Sequence, residues 1–358
     1  MYKGDGLAYN HHIASALPVS HGPRAITGRS ESDMRRICLI WLAALLMLPG
    51  APPAAAQDIR PVEAQGPPSF TAYPALDAAG FLALEWPEPE FVHADEEAGY
   101  WLYLSSNLRV EISRYTGSLD RRALVWFMAD IHFREGQAFR AYPANPKNPA
   151  RAQARPARIA RDNQVVYAQN GDLFSYRVYN KLKTGLIIRD GRLLYQDTFT
   201  KPRAAIPPLD ELALYPDGRV EMRTPGILSA QDYLDLGARD VLAFGPILFK
   251  DRVKDDRLGI SFTHREPRSA LGVVGPSHLV GILVEGRNKR SAGANLQFVA
   301  DRLLEWGCVE AFTLDGGQTA AMVFMGQEVM DPGIYHGFQQ ARKQQDIIGI
   351  GVSHLVAP

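Results

Sequence analysis

From Tyr100 onward strand-like apolar runs alternate with polar turns, a pattern that predicts strands. Residues 101–104, 108–115 and 123–133 form the first such runs. In the last, Trp126, Met128, Asp130 and His132 share one face, with Asp130 and His132 read as a structural pair on a sheet rim or as groups entering a cleft. A β-branched run over 164–168 leads into Asn170-Gly171-Asp172, by itself an ordinary turn signal. Residues 183–194 and 212–222 read as hairpins around Asp190-Gly191 and Asp217-Gly218. Residues 241–250, containing Phe244-Gly245-Pro246, close this strand-rich half.

The C-terminal half changes period. Residues 268–274 and 278–285 flank Gly275-Pro276-Ser277 as a hairpin that sets Arg268 opposite Val284, beside Glu285. Asn295 can cap a helix with apolar positions Leu296, Val299, Ala300, Leu303 and Leu304, ended by Gly307 before a strand over 309–314. Strand, helix, strand is a crossover unit. The predicted fold is therefore α+β: a mixed, strand-rich twisted sheet with few helices and one βαβ crossover near the C-terminus. If the two strands are neighbours ~4.8 Å apart, Glu285 and Asp315 meet within the ~5–9.5 Å that glycosidic cleavage uses. Arg268 reaches the same rim. After Asp315, Gly316 and Gly317 imply backbone angles closed to other residues or a ligand against the main chain, although a lone turn of this kind is weak evidence.

Composition narrows the class. Lys and Arg total 39 against 39 Asp and Glu in 358 residues, so the chain lacks the basic footprint that nucleic acid requires. A hydrophobic content of 46% allows a sizeable core. Arg35-Arg36, an apolar run over 37–48, Pro49-Gly50 and Ala54-Ala55-Ala56 follow the order of a secretory signal, in a run too short to span a bilayer. The predicted organisation is an upstream extension outside the true coding region (1–33), a signal peptide (34–56), a Pro/Ala-rich arm (57–95) and the main domain (96–358). Cys308, the one thiol left after signal removal, reads as buried and inert. His93 to Glu97 reads as a solvated loop, and the Arg- and Pro-rich residues 141–161 as a solvated connection. No paired-His spacing of the zinc type occurs, so neither metal nor cofactor is expected.

From about Val125 onward the chain resembles the phosphodiester glycosidase family, in several blocks that occur in order. Asn170-Gly171-Asp172-Leu173-Phe174 is similar to the family's Asn-Gly-Asp/Gly-aromatic-aromatic block, and Phe244-Gly245-Pro246-Ile247-Leu248 to its Gly-Pro strand. Glu266-Pro267-Arg268-Ser269-Ala270-Leu271-Gly272 resembles Asn-Pro-Arg-Thr-Ala-Ile-Gly, and Val284-Glu285-Gly286-Arg287 resembles Val-Asp-Gly-Arg. Gly293-Ala294-Asn295-Leu296 resembles the helix entry, and Leu314-Asp315-Gly316-Gly317-Gln318-Thr319 resembles Leu-Asp-Gly-Gly-Gly-Ser. The tail from Arg342 to Ile348 resembles the family's closing strand with its acid, Asp346, read as a core salt-bridge residue. Three positions depart from the pattern: Glu285 for Asp, Gln318 for Gly and Leu173 for an aromatic residue, which points to a different substrate or to lost activity.

The resemblance implies cleavage of a sugar C1–O bond whose oxygen belongs to a phosphodiester. On that reading Asp315 is the principal carboxylate, nucleophile or base, with Asp172 or Glu285 as partner. Arg268 binds phosphate as a planar fork, and Arg287 helps it or holds a neighbouring carboxylate. The amides of Gly316 and Gly317 form an anion nest beside Gln318, while Asn170, in its turn with Gly171, and Thr319 hydrogen-bond hydroxyls. The expected protein is an exported hydrolase of sugar 1-phosphodiesters in an envelope glycan or exopolysaccharide, periplasmic or secreted. Its partner is a carbohydrate or sugar phosphate, not nucleic acid, and it keeps no membrane span after signal cleavage. A non-catalytic envelope polysaccharide-binding protein is the alternative, and a metal-dependent phosphodiesterase the third reading.

Overall fold

The period-two runs become antiparallel strands that bury both faces. In a computed structural model that describes residues 60–61, 73–172, 184–197, 209–335 and 337–357, the strand Arg122–Phe133 shows why. Phe127, Ala129, Ile131 and Phe133 enter one hydrophobic cluster, whereas Trp126 and Met128 enter another on the opposite face. A ten-stranded sheet runs outward from this strand. On one side come His278–Val284, Arg268–Gly275, Glu310–Leu314, Ile247–Lys250 and Val253–Lys254; on the other come Leu108–Leu119, Tyr100–Ser105 and Glu90–Asp95. That last strand lies in the stretch read as an arm, and Leu82 from the same stretch is buried against Tyr100, Leu102 and Leu104.

The helix Leu296–Glu305 covers one face of the large sheet. Asn295 caps it by accepting from the Phe298 N–H at 2.9 Å, and Gly307 follows with φ +86°. Leu296, Phe298, Val299, Ala300 and Leu303 are buried. Phe298 sets its edge on the Trp126 ring at 5.5 Å, a contact worth about 1 kcal/mol beyond burial.

The other face of the large sheet shares the main core with two five-stranded sheets. One runs Val220–Arg223, Asp210–Leu214, Asp240–Phe244, Gly185–Arg189, Arg192–Asp197; the other runs Gln327–Glu328, Met322–Phe324, Val165–Asn170, Asp346–Val352, Arg140–Pro143. Leu212, Leu242, Tyr167 and Ile348 carry these sheets into the core with Phe127 and Phe312. Among the described residues the architecture is mostly β with three helices, Pro156–Asp162, Ala230–Asp235 and Leu296–Glu305, and its sheets are antiparallel.

An interposed strand overturns the expectation that the two strands flanking the helix are neighbours. Arg268–Gly275 lies between His278–Val284 and Glu310–Leu314 and pairs antiparallel with both. The hairpin takes the inner position before the helix returns the chain, leaving Val284 and Leu314 two strand spacings apart, about 10 Å. The pairing of Arg268 with Val284 is as expected.

Candidate active site

Three sheets converge at the end of Glu310–Leu314. That strand belongs to the large sheet, yet eight residues on from Leu314 the chain enters another as Met322–Phe324. The connection is Asp315 to Ala321. Gly317 carries it through φ +60° and donates its N–H to the Pro267 carbonyl at 2.9 Å. Any side chain at Gly317 would strain the backbone, and its Cβ would lie in ordinary contact with the Arg287 guanidinium at 3.4 Å. A short turn, Gly317–Thr319, completes the crossing.

Asn170, at the end of the strand Val165–Asn170 that pairs with Met322–Phe324, clamps this connection from that second sheet. Its Nδ2 donates to the Asp315 carbonyl at 2.7 Å, and its Oδ1 accepts from the Ala321 N–H at 3.1 Å. The Asp315 N–H donates to the Gly171 carbonyl at 3.3 Å. Gly171 admits no larger residue, because a Cβ there would lie 2.2 Å from an oxygen of Asp346.

Asp315 is half-buried, and the packed protein around it pushes its pKa up to about 7. The Thr319 hydroxyl and the charge of Arg342 pull down against this burial, the charge of Asp172 pushes up, and the Gly316 N–H pulls down. Asp315 and Asp172 are thus brought into one electrostatic cluster. Asp172 itself is fully buried: it accepts from the Ala243 N–H at 3.1 Å and lies 3.4 Å from Arg189. Arg189 also binds Asp346 at 2.8 Å and donates to the Val241 carbonyl at 2.6 Å. Burial alone would lower the Arg189 pKa, but Asp346 and Asp172 hold the guanidinium charged. Asp346 is therefore a member of a buried ion network directly beneath Gly171.

Glu285 occupies a different niche. Its side chain is buried against Arg290, which grips both carboxylate oxygens, and it accepts from the Asp331 N–H at 2.7 Å and Asn288 Nδ2 at 3.2 Å. This carboxylate is a strut for the 286–291 loop and the Asp331 backbone, and it does not pair with Asp315. Arg268 turns toward the helix entry, donating to the carbonyls of Ala294 at 3.0 Å and His264 at 2.7 Å. Arg287 pairs with Glu266 at 2.6 Å while its guanidinium faces Gly317. The amide nest does not form as expected, since the Gly316 N–H turns to the Asp315 carboxylate and the Gly317 N–H to Pro267. Gln318 donates to the carbonyls of Gly333 and Gln340, and its own carbonyl accepts from the Arg342 N–H at 3.2 Å. It fastens the segment that carries Arg342. Leu173 and Phe174 lie outside the described residues.

Arg189 and Arg342 were not singled out from sequence. Arg189 ends the first strand of the hairpin around Asp190-Gly191 and Arg342 opens the tail block; neither carries a sequence signal beyond a basic residue near an apolar strand.

Residues 163–351 match the family model described as phosphodiester glycosidase. The chain belongs to the phosphodiester glycosidase family. A SPbeta prophage-derived uncharacterized protein, YomE, of Bacillus subtilis (strain 168) is 30% identical to this family member over 148 residues, which is 40% of this chain and 22% of that protein. The chain thus spans about a fifth of that relative's length. The zebrafish N-acetylglucosamine-1-phosphodiester alpha-N-acetylglucosaminidase catalytic domain, in a form auto-inhibited by its pro-peptide, superposes with a TM-score of 0.53 at 18% identity, covering 74% of this chain and 89% of that one. A Synechocystis protein gives a TM-score of 0.47 at 15% identity over 74% of this chain and 72% of that one. At 18% identity the likeness to the zebrafish domain speaks to the fold alone.

Proposed function

We propose that this phosphodiester glycosidase is an exported hydrolase that cleaves the C1–O bond of a sugar 1-phosphodiester in an envelope glycan or exopolysaccharide. The observation that carries the reading is the Asp315 carboxyl, half-buried at the seam of three sheets, with its pKa pushed up to about 7 by its surroundings. A carboxyl with this pKa is an effective proton acceptor at neutral pH. Export is supported by the apolar run over 37–48 between Arg35-Arg36 and Ala54-Ala55-Ala56. Among the described residues no helix is long and apolar enough to cross a membrane.

In the proposed reaction the C1–O bond breaks and its electron pair leaves with the oxygen, which remains on phosphorus as a phosphate monoester. Water supplies the new oxygen on C1, and Asp315 receives the proton that water loses. Phosphate needs little help to leave, so the residues must stabilise an oxocarbenium-like sugar and the departing anion. Arg342 and Arg287 flank the Asp315 turn and supply positive charge for that anion. Asp172, sealed behind Gly171, acts through its charge on Asp315. The Arg189–Asp346 pair positions it.

Hydrolysis of a sugar 1-phosphodiester in ¹⁸O-labelled water tests this. Label in the sugar hydroxyl, with an unlabelled phosphate monoester and loss of turnover in Asp315→Asn, is expected. Label in the phosphate indicates attack at phosphorus and overturns the reading. Glycan binding with no turnover selects the binding-protein alternative.

A further inference from the structure

At the end of His278–Val284 remote from Glu285, three side chains from two strands converge. His132 and His278 are directly paired across the sheet, and Asp130 lies two residues along from His132 on the same face. The two imidazole rings stack at 3.9 Å with their planes 22° apart. Both present Nε2 to the one carboxylate, His278 at 2.7 Å from Oδ1 and His132 at 3.1 Å from Oδ2. One ligand atom from each of the three residues can be chosen so that all lie within 4.8 Å of one another.

We propose that Asp130, His132 and His278 form a binding site for a divalent transition-metal ion. Two imidazole nitrogens and a carboxylate oxygen are donors that zinc-class ions prefer, at bond lengths of about 2.0–2.2 Å. Tetrahedral placement at those lengths requires donors about 3.3 Å apart, so an ion would replace the two direct contacts to the carboxylate and draw together one donor from each residue, which already lie within 4.8 Å of one another. The side chains of His132, Asp130 and His278 are 32%, 20% and 27% exposed, which leaves solvent a route to the ion and coordination positions for water. On the neighbouring strand Glu111 lies opposite Asp130, and Arg109 lies opposite His132. Arg109 is paired with Glu111 at 2.6 Å, so the local balance with neutral imidazoles is one net negative charge.

The site is distinct from the proposed catalytic site at Asp315. Seven residues of extended strand, about 20 Å, separate His278 from Val284. An ion there would tie Arg122–Phe133 to the Arg268–Val284 hairpin and raise stability by mass action. Motif spacing does not reveal such a site, because its ligands are an alternate pair on one strand and a residue 148 positions after Asp130.

The test is titration of the metal-stripped full chain with Co²⁺, followed by its d–d absorption, then displacement by Zn²⁺ in calorimetry. One equivalent is expected to bind with the spectrum of a low-coordinate site and to raise Tm. That equivalent should weaken by at least about tenfold in His278→Gln and in His132→Gln, each checked for native circular dichroism, and should persist in Asp315→Asn. A wild-type chain that takes up no such equivalent overturns the proposal. So does uptake that is unchanged in both histidine variants.

Discussion

The side-chain amide of Asn170 donates to the backbone carbonyl of Asp315 at 2.7 Å across 145 residues of sequence. Because its oxygen also receives the Ala321 N–H, one buried amide fixes both ends of the connection that holds the carboxylate. Asn170→Ala removes both contacts and leaves two backbone groups unpaired. The expected loss is about 2–4 kcal/mol in urea unfolding, with kcat falling more than KM rises.

The activity profile should report Asp315 directly. If its ionised form is the base, log kcat/KM climbs with pH and levels off above about 7. Arg342→Gln removes a charge that favours the carboxylate and moves the midpoint upward, whereas Asp172→Asn removes a repelling charge and moves it downward. Opposite displacements in the two variants check the assignment; Asp315→Asn should cost on the order of 10²–10⁴ in kcat.

Stability should fall, not rise, between acid and neutral pH at one buried carboxyl. Burial pushes Glu211 up to about 7 although Tyr233 donates to it at 2.9 Å. Below its unfolded pKa of about 4.3 the group is protonated in both states and has no pH-dependent effect. As pH climbs to 7 the unfolded chain ionises first, so the fold loses stability progressively, and the loss is constant above that. Glu211→Gln should therefore raise stability at pH 8 by on the order of 1–3 kcal/mol relative to its effect at pH 4, measured by denaturant titration.

Arg189 should be among the least replaceable cations in the chain. Arg189→Met strands Asp172 and Asp346 without their shared partner. A cost of about 3–5 kcal/mol is expected by thermal or urea unfolding.

At Gly317 the cost of a side chain is conformational. Gly317→Ala places a Cβ where φ is +60° and 3.4 Å from Arg287. A loss of about 1–2 kcal/mol in stability with a raised KM is expected from unfolding and steady-state measurements.

Local chemistry was legible wherever one segment decides its own structure. The Asn295 cap, the Asp190-Gly191 turn and the opposition of Arg268 to Val284 all follow from residues close in sequence. Strand order was not legible, because an apolar run such as 309–314 suits any interior position of a sheet. Glu285 therefore seemed adjacent to Asp315, when in fact Arg268–Gly275 intervenes and Arg290 holds it. The Asp-Gly-Gly turn announced the Asp315 carboxylate, but nothing nearby in sequence announced Arg189, which reaches Asp346 across 157 residues. Asn170 looked like a substrate contact for the same reason: its two partners lie far along the chain.

The seam that cradles Asp315 has a kinetic corollary. Loops of some 150 residues must close before Asn170 or Arg189 meets its partners, so these junctions carry the high contact order that slows folding. Catalytic competence should return only with the slowest refolding phase, after most strand signal has already recovered. Variants that loosen the junction then silence the enzyme while much of its circular dichroism survives.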